Sequence, residues 1–298
     1  MAVLQNKIDF AVVLRVKNAN PNGDPLNGNR PRTNYDNYGE MTDVCIKRKI
    51  RDRLVERFLT LEKEGQPTKG QAVFVQSDDR KIDDAKSLRA RAEAALGSKL
   101  GSDETVKLAC SEWIDVRAFG QLFALKSNKK TKKKEEGGDD EGDTGVSIGI
   151  RGPVTVQSAF SVEPIDVTST QITKSVSGEG DGAKRGSDTM GMKHRVDHGV
   201  YVFFGSMNPQ LAEKTAFGED DAESIKQILP KLFENDESSA RPAGSMEVLK
   251  VVWWRHNCKS GQYSSAKVHR TLQKSIQPDG SFDLTNLAGL EPEVIDGF

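Results

Sequence analysis

Residues 8–53 decide the fold: IDFAVVLRVK at 8–17, NANPNGDP at 18–25, NRPRT at 29–33 and TDVCIKRKIRDR at 42–53. In the first run Ile8, Phe10, Val12, Leu14 and Val16 alternate with Asp9, Ala11, Val13, Arg15 and Lys17. That period of two predicts a half-buried strand, with one face on a core and a semi-polar second face carrying two cations. The Asn/Pro/Gly cluster then stops any regular element, because Gly tolerates positive φ, Pro fixes φ, and Asn side chains bond the backbone beside them. Thr42 followed by Asp43 is a helix N-cap arrangement. Behind it Ile46, Ile50, Leu54, Phe58 and Leu61 recur at helical spacing and predict one apolar stripe. Lys47 and Arg51 flank the stripe on one side, Lys49 and Arg53 on the other. Each cation alone fits a solvated helix edge equally well. Together with the loop arginines they read as a surface for gripping a phosphate backbone.

At 298 residues, 36% hydrophobic and 29% charged, the chain is in the range of an ordinary globular protein with one elaborated domain or two small ones. No window approaches the roughly 18 apolar residues of a membrane span, and the N-terminus lacks a signal-peptide pattern, so a cytoplasmic protein with no membrane partner is expected. Cys45, Cys110 and Cys258 are widely spaced and odd in number, which argues for reduced, mostly buried thiols rather than disulfides or zinc. The net charge of −1 excludes a globally basic nucleic-acid binder. Residues 1–60, however, hold 11 cations against 7 anions and residues 211–298 hold 10 against 14, so one basic surface remains open.

Further along, Val73–Val75 suggests a short strand, 79–96 a charged helical stretch and 103–111 a short helix. Residues 126–143 carry six lysines, six acids and no apolar side chain, so ordering them cannot be offset by burial and a disordered loop is expected. Val146, Ile148 and Ile150, then Val154, Val156, Phe160 and Val162, predict two strands kinked at Gly152-Pro153. Residues 166–195 are too polar to own a core and should extend from the domain. Residues 199–206 and 248–256 read as apolar strands whose Tyr201, Phe203, Phe204, Trp253 and Trp254 fit a core better than base-stacking platforms, and 221–233 reads as a helix. His194 and His198 stand four apart in strand-like sequence without the glutamate of HExxH, so no metal or other cofactor is expected. There is no GxSxG, no phosphate-binding P-loop and no DxD pair.

The strand–loop–helix with NPNGDP and NRPRT, the later DVRAFG at 115–120, and Gly152-Pro153-Val154 leading to Gln157 and Ser161 resemble the Cascade backbone subunit of type I-C CRISPR systems across nearly the whole chain. The resemblance implies an α+β fold, a modified RRM-like (ferredoxin-like) palm with an inserted thumb β-hairpin and helical insertions. It implies one domain over 1–298, a helical insertion at 61–112, a strand opening near Trp113 and a thumb at 164–198. By function it implies a non-enzymatic, crRNA-binding subunit. Identical copies would run head to tail along the guide and present it to target DNA, beside cap or processing, large and small subunits and a recruited helicase-nuclease. The expected backbone contacts are Arg15, Asn20, Asn22, Arg30, Arg32, Lys47 and Arg51, with Arg117, Gln121, Arg151 and Gln157 by family position and Met190, Lys193, His194 and Arg195 on the thumb. Two enzymatic alternatives stand beside this. One is a target-RNA endonuclease of type III character using Asp24, whose carboxylate between Gly23 and Pro25 equally suits capping local amides. The other is a guide-processing endonuclease with His194 or His256 as general base.

Overall fold

The computed structural model describes residues 2–125, 146–173 and 190–298. The first strand, β1 (Ile8–Ala19), is followed by a short β2 (Gly23–Asp24) and β3 (Arg30–Pro31) that pair with each other, an edge strand β4 (Tyr38–Met41), and the helix α1 (Asp43–Lys63). The Thr42 hydroxyl accepts from the Cys45 amide, so the predicted cap forms. Helices α2 (Leu88–Leu96), α3 (Thr105–Glu112) and α4 (Ile114–Phe119) lead to a separate hairpin of β5 (Gly120–Leu125) and β6 (Val146–Arg151). At Gly152-Pro153 the chain leaves that hairpin for the main sheet through β7 (Val154–Val156), β8 (Ala159–Pro164) and β9 (Val167–Thr173). The long β10 (Met190–Met207) returns, followed by α5 (Pro209–Thr215), α6 (Glu219–Ile228), β11 (Met246–Arg255), α7 (Ser265–Gln273) and β12 (Pro292–Asp296). The main sheet runs β12-β11-β1-β10-β8-β4, with β7 and β9 also on β10, and its pairings are antiparallel.

β1 sits at the centre, between β10 and β11, and its environment corrects the half-buried reading. Every side chain from Ile8 to Leu14 is buried. Ile8, Phe10, Val12, Leu14 and Val16 join the main core with α1 and α6, while Ala11 and Val13 join a second core with Val200, Val202, Phe204, Trp254, Val268 and Leu272 under α7. The physical signal was present: from 8 to 14 only Asp9 is polar, and a nearly continuous apolar run marks a strand covered on both faces. Asp9 itself is fully buried in the second layer. Its Oδ2 lies 2.9 Å from His256 Nε2 and 3.2 Å from Lys7 Nζ, and its Oδ1 lies 3.5 Å from His269 Nε2 on α7. Burial alone would raise its pKa; the His256 and His269 imidazoles, Ser265 and Lys7 outweigh that and hold the carboxyl well below the usual range.

Three further expectations change. Val73–Val75 is no strand, because the Asp115 carboxylate takes the amide hydrogens of Phe74 and Val75 at 2.7 and 3.1 Å, doing what a neighbouring strand would have done. The segment opening at Trp113 is helix α4 rather than a strand, with one bridge from Trp113 to Ala72 among the described residues. Within 79–96 the α-helix is confined to α2, which starts where Ser87 caps the Ala90 amide. These pieces share a third core in which the tilted rings of Phe74, Trp113 and Phe123 pack with Ala92, Cys110 and Ile150. Gly120 (φ +82°) makes the turn into β5 possible: a Cβ there would stand 2.2 Å from the Ile150 carbonyl oxygen. The aromatics of β10 and β11 are core residues, as read from the sequence. Cys110 is buried and Cys45 and Cys258 are half-buried, all three free. The 126–143 segment and, within the expected 164–198 thumb, residues 174–189 lie outside the described residues.

Candidate nucleic-acid interface

The interface grows from the end of β1. Asn18 adopts φ +54°, a left-handed conformation that Asn tolerates, and one residue on, at Ala19, the pairing of β1 with β10 ends. Asn20 is buried; its amide hydrogen goes to the Ala240 carbonyl at 2.8 Å and its Nδ2 donates to the Asn29 carbonyl at 2.7 Å. β9 and β10 stand beside this turn as the arms of a hairpin, in register from Val167–Val196 to Thr173–Met190. Arg30 reaches across from β3, its Nη1 donating to Ser169 Oγ at 3.0 Å, and the same hydroxyl lies 2.8 Å from His194 Nδ1.

The result is a cleft of about 410 Å³ with three walls: Asn18, Asn20 and Asn29 from the β1 turn, Thr170, Ile172, Met192, Lys193, His194 and Arg195 from the hairpin, and Ser239, Ala240 and Pro242 from the loop before β11. A polar hollow of about 420 Å³ adjoins it, lined by Asp24, Arg30, Arg32, Thr33, Asn37, Glu40 and Asp166. Another, of about 300 Å³, holds Arg15, Lys17, His198, Ser245 and Glu247. Among the described residues Lys17, Arg30 and Lys193 have no carboxylate within ion-pair distance. Cations beside amide donors and exposed apolar side chains, here Ile172 and Met192, suit a strand of nucleic acid.

The expected contacts divide. Arg30, Arg32, Lys193, His194 and Arg195 converge here, and Met190 is exposed one turn of the pleat further out on β10. Arg32 pairs with Asp24 at 3.2 Å and Arg195 with Asp197 at 3.2 Å; the Thr168 hydroxyl and then Arg195 keep the Asp197 carboxyl below its usual range. Arg15 is half-exposed and already held by Glu247, Nε to Oε1 at 2.7 Å. Asn20 lines the cleft with its Nδ2 engaged and its buried Oδ1 without a hydrogen-bond partner among the described residues. Asn22 faces inward, its Oδ1 accepting from the amide and hydroxyl of Thr42 at 3.0 and 3.1 Å, so it fixes the start of α1.

On α1 the picture reverses. Lys47 pairs with Asp43 at 2.9 Å one turn earlier. Arg51 is largely buried, its Nε 2.9 Å from Asp115 and its guanidinium 5.2 Å from the Phe119 ring centre. Lys49 and Arg53, read as stripe-flanking cations, are buried as well. Arg117 is the clearest correction. It is 4% exposed, its Nε and Nη2 grip Asp221 at 2.8 and 2.7 Å, and its remaining donors reach the carbonyls of Cys110 and Gly70. Asp221 also accepts the Gly218 amide, so the pair ties α4 to the start of α6. Gln121, Arg151 and Gln157 lie elsewhere: Gln121 and Arg151 on the separate hairpin, Gln157 exposed between β7 and β8. Sequence reasoning missed Lys17, Asn18, His198 and Ser239–Pro242. Lys17 shares the face of Arg15 and the Asn-rich turn marked Asn18; nothing local marks the loop at 239–242.

The candidate acid–base groups are also placed. Asp24 accepts the Leu26 amide at 3.2 Å besides pairing with Arg32, the local capping its position suggested. His256 is buried with both nitrogens engaged, Nε2 by Asp9 and Nδ1 by the Gln262 amide at 2.9 Å. It has no path to a substrate phosphate. Among the described residues no three His, Cys, Asp or Glu side chains gather as a metal site.

The family model described as CRISPR-associated protein Cas7 matches residues 6–286. A curated relative, "CRISPR-associated protein Cas7" of Haloferax volcanii, is 24% identical over 98% of this chain and 81% of its own length. Two solved chains are similar at lower levels. One belongs to a "CRISPR RNA-guided surveillance complex, pre-nicking" (14% identity, TM-score 0.47, 83% of this chain and 78% of that one). The other belongs to a "CRISPR RNA-guided surveillance complex" (14%, TM-score 0.42, 83% and 68%).

Proposed function

This chain belongs to the Cas7 family of CRISPR-associated proteins, and from that premise we propose that it is the crRNA-binding backbone subunit of a type I-C Cascade. Several copies line up head to tail along one guide, each holding a short stretch by its phosphates and sugars while the bases pair with target DNA. The observation that carries this reading is the group of cavities around the end of β1: Lys193 lines the three-walled cleft, Arg30 the polar hollow beside it and Lys17 the third hollow, each without a carboxylate partner among the described residues. Phosphate contacts fix position without reading bases, so sequence recognition falls to the RNA. The partners in this reading are the crRNA, target DNA through the guide, identical copies, the cap or processing, large and small subunits, and a recruited helicase-nuclease. Contacts between identical copies are heterologous and open-ended, so guide length sets their number. The site of action is the cytoplasm; no helix among the described residues is long and apolar enough to cross a membrane.

The protein in this reading cuts nothing. A type III-like endonuclease would need Asp24 released from Leu26 and Arg32, and a guide-processing enzyme would need His194 released from Ser169. Metal-dependent cleavage of a complementary RNA, abolished by Asp24→Ala, would replace the scaffold reading with the first of these. The direct test of the scaffold reading is binding of a guide-length single-stranded RNA across a salt series. The combined Lys17→Ala, Arg30→Ala and Lys193→Ala variant should lower the log–log slope by about 2, at roughly 0.7 per lost phosphate contact. An unchanged slope in a folded variant removes the cleft as the RNA site.

A further inference from the structure

The cleft wall at Ser239-Ala240 has no regular element behind it, yet it is fastened at several points to α1. Ser238 and Arg241 exchange backbone hydrogen bonds at 2.9 and 3.1 Å, making 239–240 the tip of a tight turn. Asp236, at the base of the turn, accepts Arg241 Nε at 2.9 Å and forms an ion pair with Lys49. Lys49 is fully buried on α1, and its ammonium has no other carboxylate within ion-pair distance among the described residues. Asn235, where the turn begins, sits at φ +53°, and its carbonyl accepts from Arg80 Nη2. Arg80 is held in turn by Glu56 of α1 at 2.7 Å. The tip meets the turn that follows β1 through the bond from Asn20 N–H to the Ala240 carbonyl.

Two α1 residues therefore determine where a wall of the cleft stands, although neither lines the cleft. We propose that the Lys49–Asp236–Arg241 cluster is a positioning device for guide binding: it clamps the Ser239-Ala240 tip against the β1 turn, and RNA affinity depends on that clamp. The proposal rests on the cleft being the guide site. A buried lysine is suited to the task because its charge tolerates only one arrangement. Moving Asp236 away would strand an ammonium inside the protein, so the turn has a single low-energy position.

The test uses the full chain, a guide-length single-stranded RNA, and hydrogen exchange at the Asn20 amide as the reporter of tip position. Asp236→Asn should speed exchange at Asn20 and weaken RNA binding about tenfold while leaving the salt slope as in the wild type, since no phosphate-contacting cation is lost. Asp236→Glu should recover most of the affinity, which general destabilisation would not explain. If Asp236→Asn fails to fold, the paired replacement Lys49→Met with Asp236→Leu removes the charge along with its partner and should fold while binding RNA more weakly. Wild-type affinity in a folded variant with a freed Asn20 amide overturns the clamp. That failure is distinct from failure of the cleft itself, which would show as an unchanged salt slope after Lys17, Arg30 and Lys193 are replaced.

Discussion

Several cations of α1 and α4 and several around the β1 turn look alike in sequence and live in opposite environments. Lys49, Arg53 and Arg117 are buried, and Lys49 and Arg117 each meet a carboxylate from a distant segment, Asp236 and Asp221. Lys17 and Lys193 are exposed and Arg30 partly so, bordering cavities open to solvent. A buried guanidinium or ammonium needs a partner because desolvation is costly, whereas an exposed cation can wait for one. The difference teaches that a cluster of Lys and Arg is evidence for nucleic acid only after the intramolecular carboxylates have been counted.

The strongest way to break this contrast is Arg117→Ala. With Asp221 left buried and the Cys110 and Gly70 carbonyls unmet, the loss should be about 3–5 kcal/mol, read by chemical denaturation. A folded, stable Arg117→Ala protein that had lost RNA binding would move Arg117 into the other class. Asp9 tests the buried class through pH. Its folded pKa is depressed, so its contribution is fully present above the unfolded value near 3.9 and is lost as pH falls below it. Asp9→Asn should lower stability at neutral pH and make the acid limb shallower by up to about one proton; an identical acid limb would contradict the depressed pKa. On the exposed side, Lys193→Ala should leave stability within about 0.5 kcal/mol and reduce the salt slope of RNA binding by about 0.7. Arg15→Ala should do least. Its pair with Glu247 is half-exposed, a kind of contact that contributes about 0–1 kcal/mol, and thermal unfolding should barely shift; a large shift would mean that Arg15 belongs with Arg117.

Much of the fold was legible where one segment determines its own structure. The Thr42 cap, the stripe of Ile46, Ile50 and Leu54, the kink at Gly152-Pro153 and the buried aromatics of β10 and β11 all follow from local spacing. What was not legible depended on partners remote in sequence. Asp115 reaches the amides of Phe74 and Val75 from forty positions away, so an apolar triplet shaped like a strand has no strand to join. α7 covers the second face of β1 from more than 250 positions away. The same holds for the site. Arg30, Arg32 and the hairpin residues were nominated from loop chemistry and family position and line neighbouring cavities, but the 239–242 wall reaches the β1 turn only through tertiary packing, and the pairing of Arg117 with Asp221 is not marked by any local pattern.

β10 carries a mechanical consequence. Its eighteen residues pair with β9 at one end and with β1, β7 and β8 at the other, and no break in the strand separates the outer arm from the inner. It therefore works as a cantilever rooted in the middle of the sheet. A pull on its outer arm along the strand is resisted in shear by the whole ladder to β1, from Ala19–Val196 to Ile8–Met207, with many bonds loaded at once rather than unzipped in turn. A load applied at the hairpin is thus borne by the central strand β1, which is buried on both faces.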